Sequence, residues 1–133
     1  MSTAHDLVFA AITGDATLNS LGITAESCWA AGSFDGPQPV PFMVMRWGVV
    51  TRGYGAANTT LLTVYVHDEP GSYDRIRAIQ RRMRAVLLAL EATGTPVNWI
   101  INVQWNGESG DLSDDSYRTI TRNSDFTVVA NTL

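Results

Sequence analysis

The side chains with most capacity for chemistry are five arginines: Arg75, Arg77, Arg81, Arg82 and Arg84. All lie within DEPGSYDRIRAIQRRMRAVLLALEATG, residues 68–94. A guanidinium is always charged and presents a planar fork of donors, so such a cluster suits carboxylates or phosphates. The other candidates are weaker. HDE at 67–69 sets a histidine beside two acids, but strand neighbours point to opposite faces and cannot all ligate one metal. GDLSDD at 110–115 carries Asp111, Asp114 and Asp115, yet lacks the alternating acids, glycine and distal glutamate of a calcium loop. Cys28 stands among apolar residues with no nucleophile motif around it. No nucleophile elbow, P-loop or dinucleotide fingerprint occurs. We expect no catalytic residues, no cofactor and no metal site.

The arginines stand out because the whole chain is acidic, with a formal net charge of −4 and 133 residues. All nine basic residues are arginine. A general nucleic-acid binder would be basic, so phosphate contact through Arg77, Arg81 and Arg84 is the second choice. Past Asp74 the helical stretch holds one acid, Glu91, so the arginines lack partners at i, i+4. Asp111, Asp114 and Asp115 are expected to compensate them from a neighbouring subunit. These eight residues are the candidate interface.

The elements that position them follow from periodicity. The length suits a single domain spanning 1–133. STAHDLVFAAITGD predicts a first helix capped by Ser2 or Thr3, with Leu7, Val8, Ala11 and Ile12 on one face and Gly14 at its end. Leu18 and Leu21 suggest a further short turn. SCWAAG (27–32) and FMVMRWG (42–48) predict strands, the second apolar on both faces and therefore central. DGPQPVP (35–41) is proline-broken loop. VVTRGYGAANTT (49–60) predicts a hairpin arm or mobile loop, and LLTVYVHD (61–68) an alternating strand.

Ser72 is the expected cap of the second helix. Ile76, Ile79, Met83, Val86, Leu87 and Leu90 form its apolar stripe, and Gly94 and Pro96 close it. At about 100° per residue, Arg77, Arg81 and Arg84 share one flank, with Arg75 and Arg82 on the other. VNWIINVQW (97–105) sets Trp99, Ile101, Val103 and Trp105 on one face, opposite Asn98, Ile100, Asn102 and Gln104. NGESGDLSDDS (106–116) reads as an acidic loop. YRTITRNSDFTVVANTL (117–133) is a last strand, bulged or bent near Asn123–Ser124, where the alternation stumbles. The predicted class is α+β: a mostly antiparallel, mixed sheet with two helices packed on one face. The single cysteine implies a reducing compartment, and no segment reads as a signal peptide or membrane span. We expect a chain made and assembled in a cytoplasm.

LTVYVHDEPGSYDRIRAIQRRMRAVLLAL together with GDLSDDSYRTITRNSDFTVV resembles the tail terminator proteins of long, non-contractile-tailed phages, of the type found in phages of GC-rich actinobacterial hosts. The likeness extends to AITGDATLNSLGI, PQPVPFMVMRWG and the step VHDEPGSYDRI. The resemblance implies a homo-hexameric ring at the head-proximal end of the tail. It would cap the tail tube, end polymerisation at the correct length and offer a surface for head attachment. The implied partners are other copies of the chain, the major tail tube protein and a head-completion or neck protein. DNA would pass through the lumen without specific binding. Alternatives are another head–tail joining protein or a small nucleic-acid-binding module.

Overall fold

Local capping chemistry sets where the helices begin. The computed structural model describes residues 3–33, 36–53, 55, 57–96 and 98–133. Ser2, Asp35, Tyr54, Ala56 and Val97, each part of a segment assigned above, lie outside the described residues. Thr3 caps α1 (Ala4–Thr13) in a capping box: Thr3 Oγ1 accepts from Asp6 N at 3.4 Å, and Asp6 Oδ2 from Thr3 N at 3.0 Å. This helix buries Ala4, Val8 and Ile12, with Leu7 packed partly against the core. Asp15 then caps α2 (Ala16–Ser20), accepting from Leu18 N at 3.0 Å, and Leu18 is buried. The further turn suggested by Leu18 is thus a third helix, beyond the two expected.

The strands are β1 (Cys28–Ala30), β2 (Phe42–Trp47), β3 (Thr51–Arg52), β4 (Asn58–Asp68), β5 (Thr93–Gly94), β6 (Trp99–Glu108), β7 (Leu112–Asp114) and β8 (Thr119–Ala130). They form one sheet of order β1-β2-β4-β8-β6-β5, with β3 paired to β4 and β7 to β8. Only β1 and β2 run parallel among these pairs; the others are antiparallel. The predicted α+β class and mixed sheet are present. β2 is interior, as its two apolar faces require. The glycine arm is a hairpin, Thr51 opposite Thr59 and Arg52 opposite Asn58.

One sheet face carries the core. Met43 and Met45 of β2, Leu62, Val64 and Val66 of β4, and Phe126, Val128 and Ala130 of β8 pack against Ile76, Ile79, Met83 and Leu87 of α3 (Asp74–Leu88). The period-2 alternation of β4 and β8 meets the helical stripe there. Phe42 and Val44 are also buried, but they belong to the opposite face and not to that cluster. There Phe42 stacks on His67, with ring centroids 4.6 Å apart, and Tyr117 meets both rings edge-on. The start of α1 is tied to the residues after β8, where Ala4 N donates to Thr132 O at 3.0 Å. Among the described residues no helix is long and apolar enough to cross a membrane.

Several sequence expectations are corrected. The N-cap of α3 is Tyr73, not Ser72; Ser72 Oγ still accepts from Asp74 N at 3.2 Å. The helix ends at Leu88 with Ala89 as cap, not at Gly94 and Pro96. Gly94 instead belongs to the β5–β6 hairpin, where its φ of +114° and an Asn98 O only 2.0 Å from any added Cβ exclude other residues.

The strict alternation over 97–105 fails because β6 is irregular between Ile100 and Asn102. The extra residue leaves Trp99 and Ile101 exposed while Ile100 and Val103 turn inward. No bulge occurs at Asn123–Ser124: β4 and β8 pair without a slip along β4's whole length. The alternation stumbles there because a polar pair occupies the core. Gln80 Nε2 of α3 donates to Ser124 Oγ at 3.0 Å, and both residues are buried. The supposed loop at 106–116 holds the end of β6 and all of β7.

Candidate assembly surface

The five helix arginines divide as the helical period predicts. On one flank, Arg75 Nε donates to Asp68 Oδ2 at 2.7 Å, and its Nη2 also bonds Asp68 Oδ1. Asp68 is the last residue of β4 and its side chain is 5% exposed, so this pair pins the start of α3 to the sheet. Arg82 makes the same bidentate fork to Asp15, at 2.9 and 2.7 Å. That carboxylate also caps α2. The Arg82 bond first, together with the Leu18 amide, holds the Asp15 carboxyl down to about 2. Arg82 therefore fastens α3 to the α1–α2 corner.

The other flank is arranged differently. Arg77, Arg81 and Arg84 line a cleft of about 350 Å³ with Glu108 and Arg122. Arg77 reaches Asp111 at 3.3 Å and, within the helix, Asp74 at 3.5 Å. Arg84 lies flat over the Trp105 ring, 3.7 Å from its centroid, a cation–π contact. Arg122 reaches in from β8, with Ser109 O at 3.1 Å, Asp111 at 3.4 Å and Glu108 at 3.7 Å. Arg81 is exposed and forms no ion pair among the described residues.

Partners for Arg75, Arg77 and Arg82 thus come from within the chain: Asp68, Asp15, Asp74 and Asp111. The sequence reasoning missed Asp15, 67 residues from Arg82, and Asp68, which is 7 residues from Arg75 but belongs to β4. It also missed Arg122, although the even-numbered alternation of β8 would have placed it on the covered side with Ser124 and Phe126.

The other two candidate acids lie away from the cleft. Leu112 pairs with Thr121 and Asp114 with Thr119, and Thr121 pairs with His67. Asp114 therefore shares the helix-free face with His67. The two line a second cleft of about 290 Å³ with Arg46, Tyr65 and Tyr117. Asp114 Oδ1 accepts from Tyr117 N at 3.0 Å, and Asp115 is exposed at the turn that follows. His67 Nδ1 lies 2.8 Å from Thr119 Oγ1, and burial pushes the imidazole down to about 4, against a smaller pull from Asp114. His67 and Asp68 face opposite sides of β4, the first toward Phe42 and the second toward Arg75, so HDE offers no shared ligand set. Cys28 is buried, which drives its thiol up to about 12 and leaves it a poor nucleophile.

No protein-family model matches the sequence, and no characterised protein matches it either. Among solved structures, the chain is similar to one from the virion of a native gene transfer agent particle. The TM-score is 0.66 at 12% identity, over 92% of this chain and 90% of that one. The likeness spans nearly the whole of both chains, and it concerns the fold.

Proposed function

We propose that this chain is a structural virion protein that forms a ring on the head-proximal end of a phage tail. The ring caps the tube, stops its growth at the correct length and presents a surface to the head-completion protein. It is not an enzyme. The carrying observation is the end-to-end likeness to a chain of a phage-like particle. The two nearly equal coverages mean the whole domain, not one motif, follows that plan.

Surface chemistry supports an assembling protein. Val49 and Val50 of the hairpin arm are 85% and 49% exposed, and Leu61, Trp99 and Ile101 also face outward. Apolar residues displayed in this number, on an otherwise acidic chain, suit burial between proteins. The resemblance to tail terminators in the sequence supplies the finer reading: the hexamer, the tube partner and the head-proximal position. The same fold would serve another neck or joining protein, and location in the particle separates the two.

Removing the gene from its phage and imaging the particles tests this reading. A terminator deletion yields headless tails of unregulated length, which purified chain restores to a single length. Tails of normal length in the deletion would overturn it in favour of a neck role. For the isolated protein, light scattering after size exclusion is expected to give a closed oligomer alone or on added tail tubes.

A further inference from the structure

The arginine cleft has more positive charge than its own subunit neutralises. Four guanidinium groups, from Arg77, Arg81, Arg84 and Arg122, converge on a cleft with one lining carboxylate, Glu108, and with Asp111 at its edge. Both acids are engaged by Arg122, and Asp111 by Arg77 as well. Arg84 lies over the Trp105 ring, and neither it nor Arg81 forms an ion pair among the described residues. Like charges so placed repel, and an incoming carboxylate would relieve them.

We propose that the cleft receives the Asp114–Asp115 turn of a second copy of this chain. This inference rests on the ring reading and names its contact. Three observations converge on that occupant. Asp114 and Asp115 are acidic where the cleft is basic, and the basic residue of that turn, Arg118, lies at its far end. It is held in shape by the β7–β8 pairing and by the Asp114–Tyr117 bond, so docking orders little that was free.

It also sits on the wrong side of the sheet to serve its own subunit. Asp114 belongs to the helix-free face with His67, whereas the cleft lies between α3 and the covered face. One subunit cannot close the pair upon itself, but two subunits placed head to tail can. A donor patch and an acceptor patch on different sides of one chain are what a heterologous, ring-closing interface requires. Arg75 and Arg82 fall outside this contact because Asp68 and Asp15 already hold them.

The test is a charge exchange on the full chain. Arg81→Glu and Asp115→Arg, made singly, are each expected to weaken self-association about tenfold or more while leaving the circular dichroism melt in place, since both side chains are exposed. Carried together on one chain, the two changes restore an opposite-sign pair at every interface, and association recovers. Wild-type association weakens as salt rises. Arg81→Gln serves as the milder variant should Arg81→Glu impair folding.

Single variants that assemble like the wild type, or a double variant that fails to recover, would overturn the contact while leaving the ring reading in place. Wild-type protein that stays monomeric even with tail tubes would sink both. Binding of short duplex DNA that Arg81→Gln abolishes, with self-association unaffected, would reassign the cleft to phosphate.

Discussion

The two flanks of α3 carry the same residue type to different ends. Arg75 and Arg82 grip carboxylates at two places where the helix must meet the rest of the fold: the end of β4 and the corner between α1 and α2. Arg77, Arg81 and Arg84 face a cleft in which the chain supplies fewer acids than bases. Charge density along a sequence therefore does not separate clamps from contact surfaces. What separates them is how closely a carboxylate grips the guanidinium: Arg75 and Arg82 each hold a bidentate fork, whereas Arg77 reaches its acids at 3.3 and 3.5 Å and Arg81 has no ion pair among the described residues.

Substitutions along α3 tell the two flanks apart. The largest effect belongs to the stripe between the flanks. Leu87→Ala, at a fully buried site, is expected to lose about 2–5 kcal/mol in urea unfolding through the cavity it leaves. Next, Arg75→Ala leaves the Asp68 carboxylate nearly buried without its fork, and a loss of about 1–3 kcal/mol is expected from the same measurement. A stability equal to wild type would mean that this flank does not clamp.

The helix-free face gives a pH test of comparable or smaller size. His67 is held near 4 against an ordinary 6.5, so the folded state favours the neutral ring. Its contribution is complete above pH 6.5 and is lost as pH falls toward 4, where only the unfolded chain readily takes the proton. Melting temperature should drop across that window, and His67→Gln should flatten the drop. Asp15 acts lower, with its contribution complete above 3.8 and lost as pH falls toward 2. Smallest of all, Arg82→Ala removes an exposed fork and should shift the melt only slightly. An Arg82→Ala melt displaced as far as that of Arg75→Ala would erase the distinction between a partly buried clamp and a surface one.

Much of this arrangement was legible in the sequence because it rests on local periodicity. Ile76, Ile79, Met83 and Leu87 announced the buried stripe, and the same 100° step sorted the arginines onto the flanks they occupy. Leu62, Val64 and Val66 announced the covered face of β4. Where the reading failed, non-local facts decided. Gly94 looked like a helix stop, but its close approach to Asn98 belongs to a hairpin visible only once β5 and β6 pair. Spacing groups Trp99 and Ile101 with Val103 on one face, because nothing local marks the slip at Ile100–Asn102. Ser124 looked like a bulge because its partner, Gln80, lies 44 residues away. Asp15 and Asp68 looked unremarkable, since only the folded chain brings Arg82 and Arg75 to them.

The hydrogen bond from Ala4 to Thr132 brings the first helix and the tail of the last strand to one spot. Two elements far apart in sequence are thus coupled, so fraying at Ala4 would loosen the residues after β8 as well.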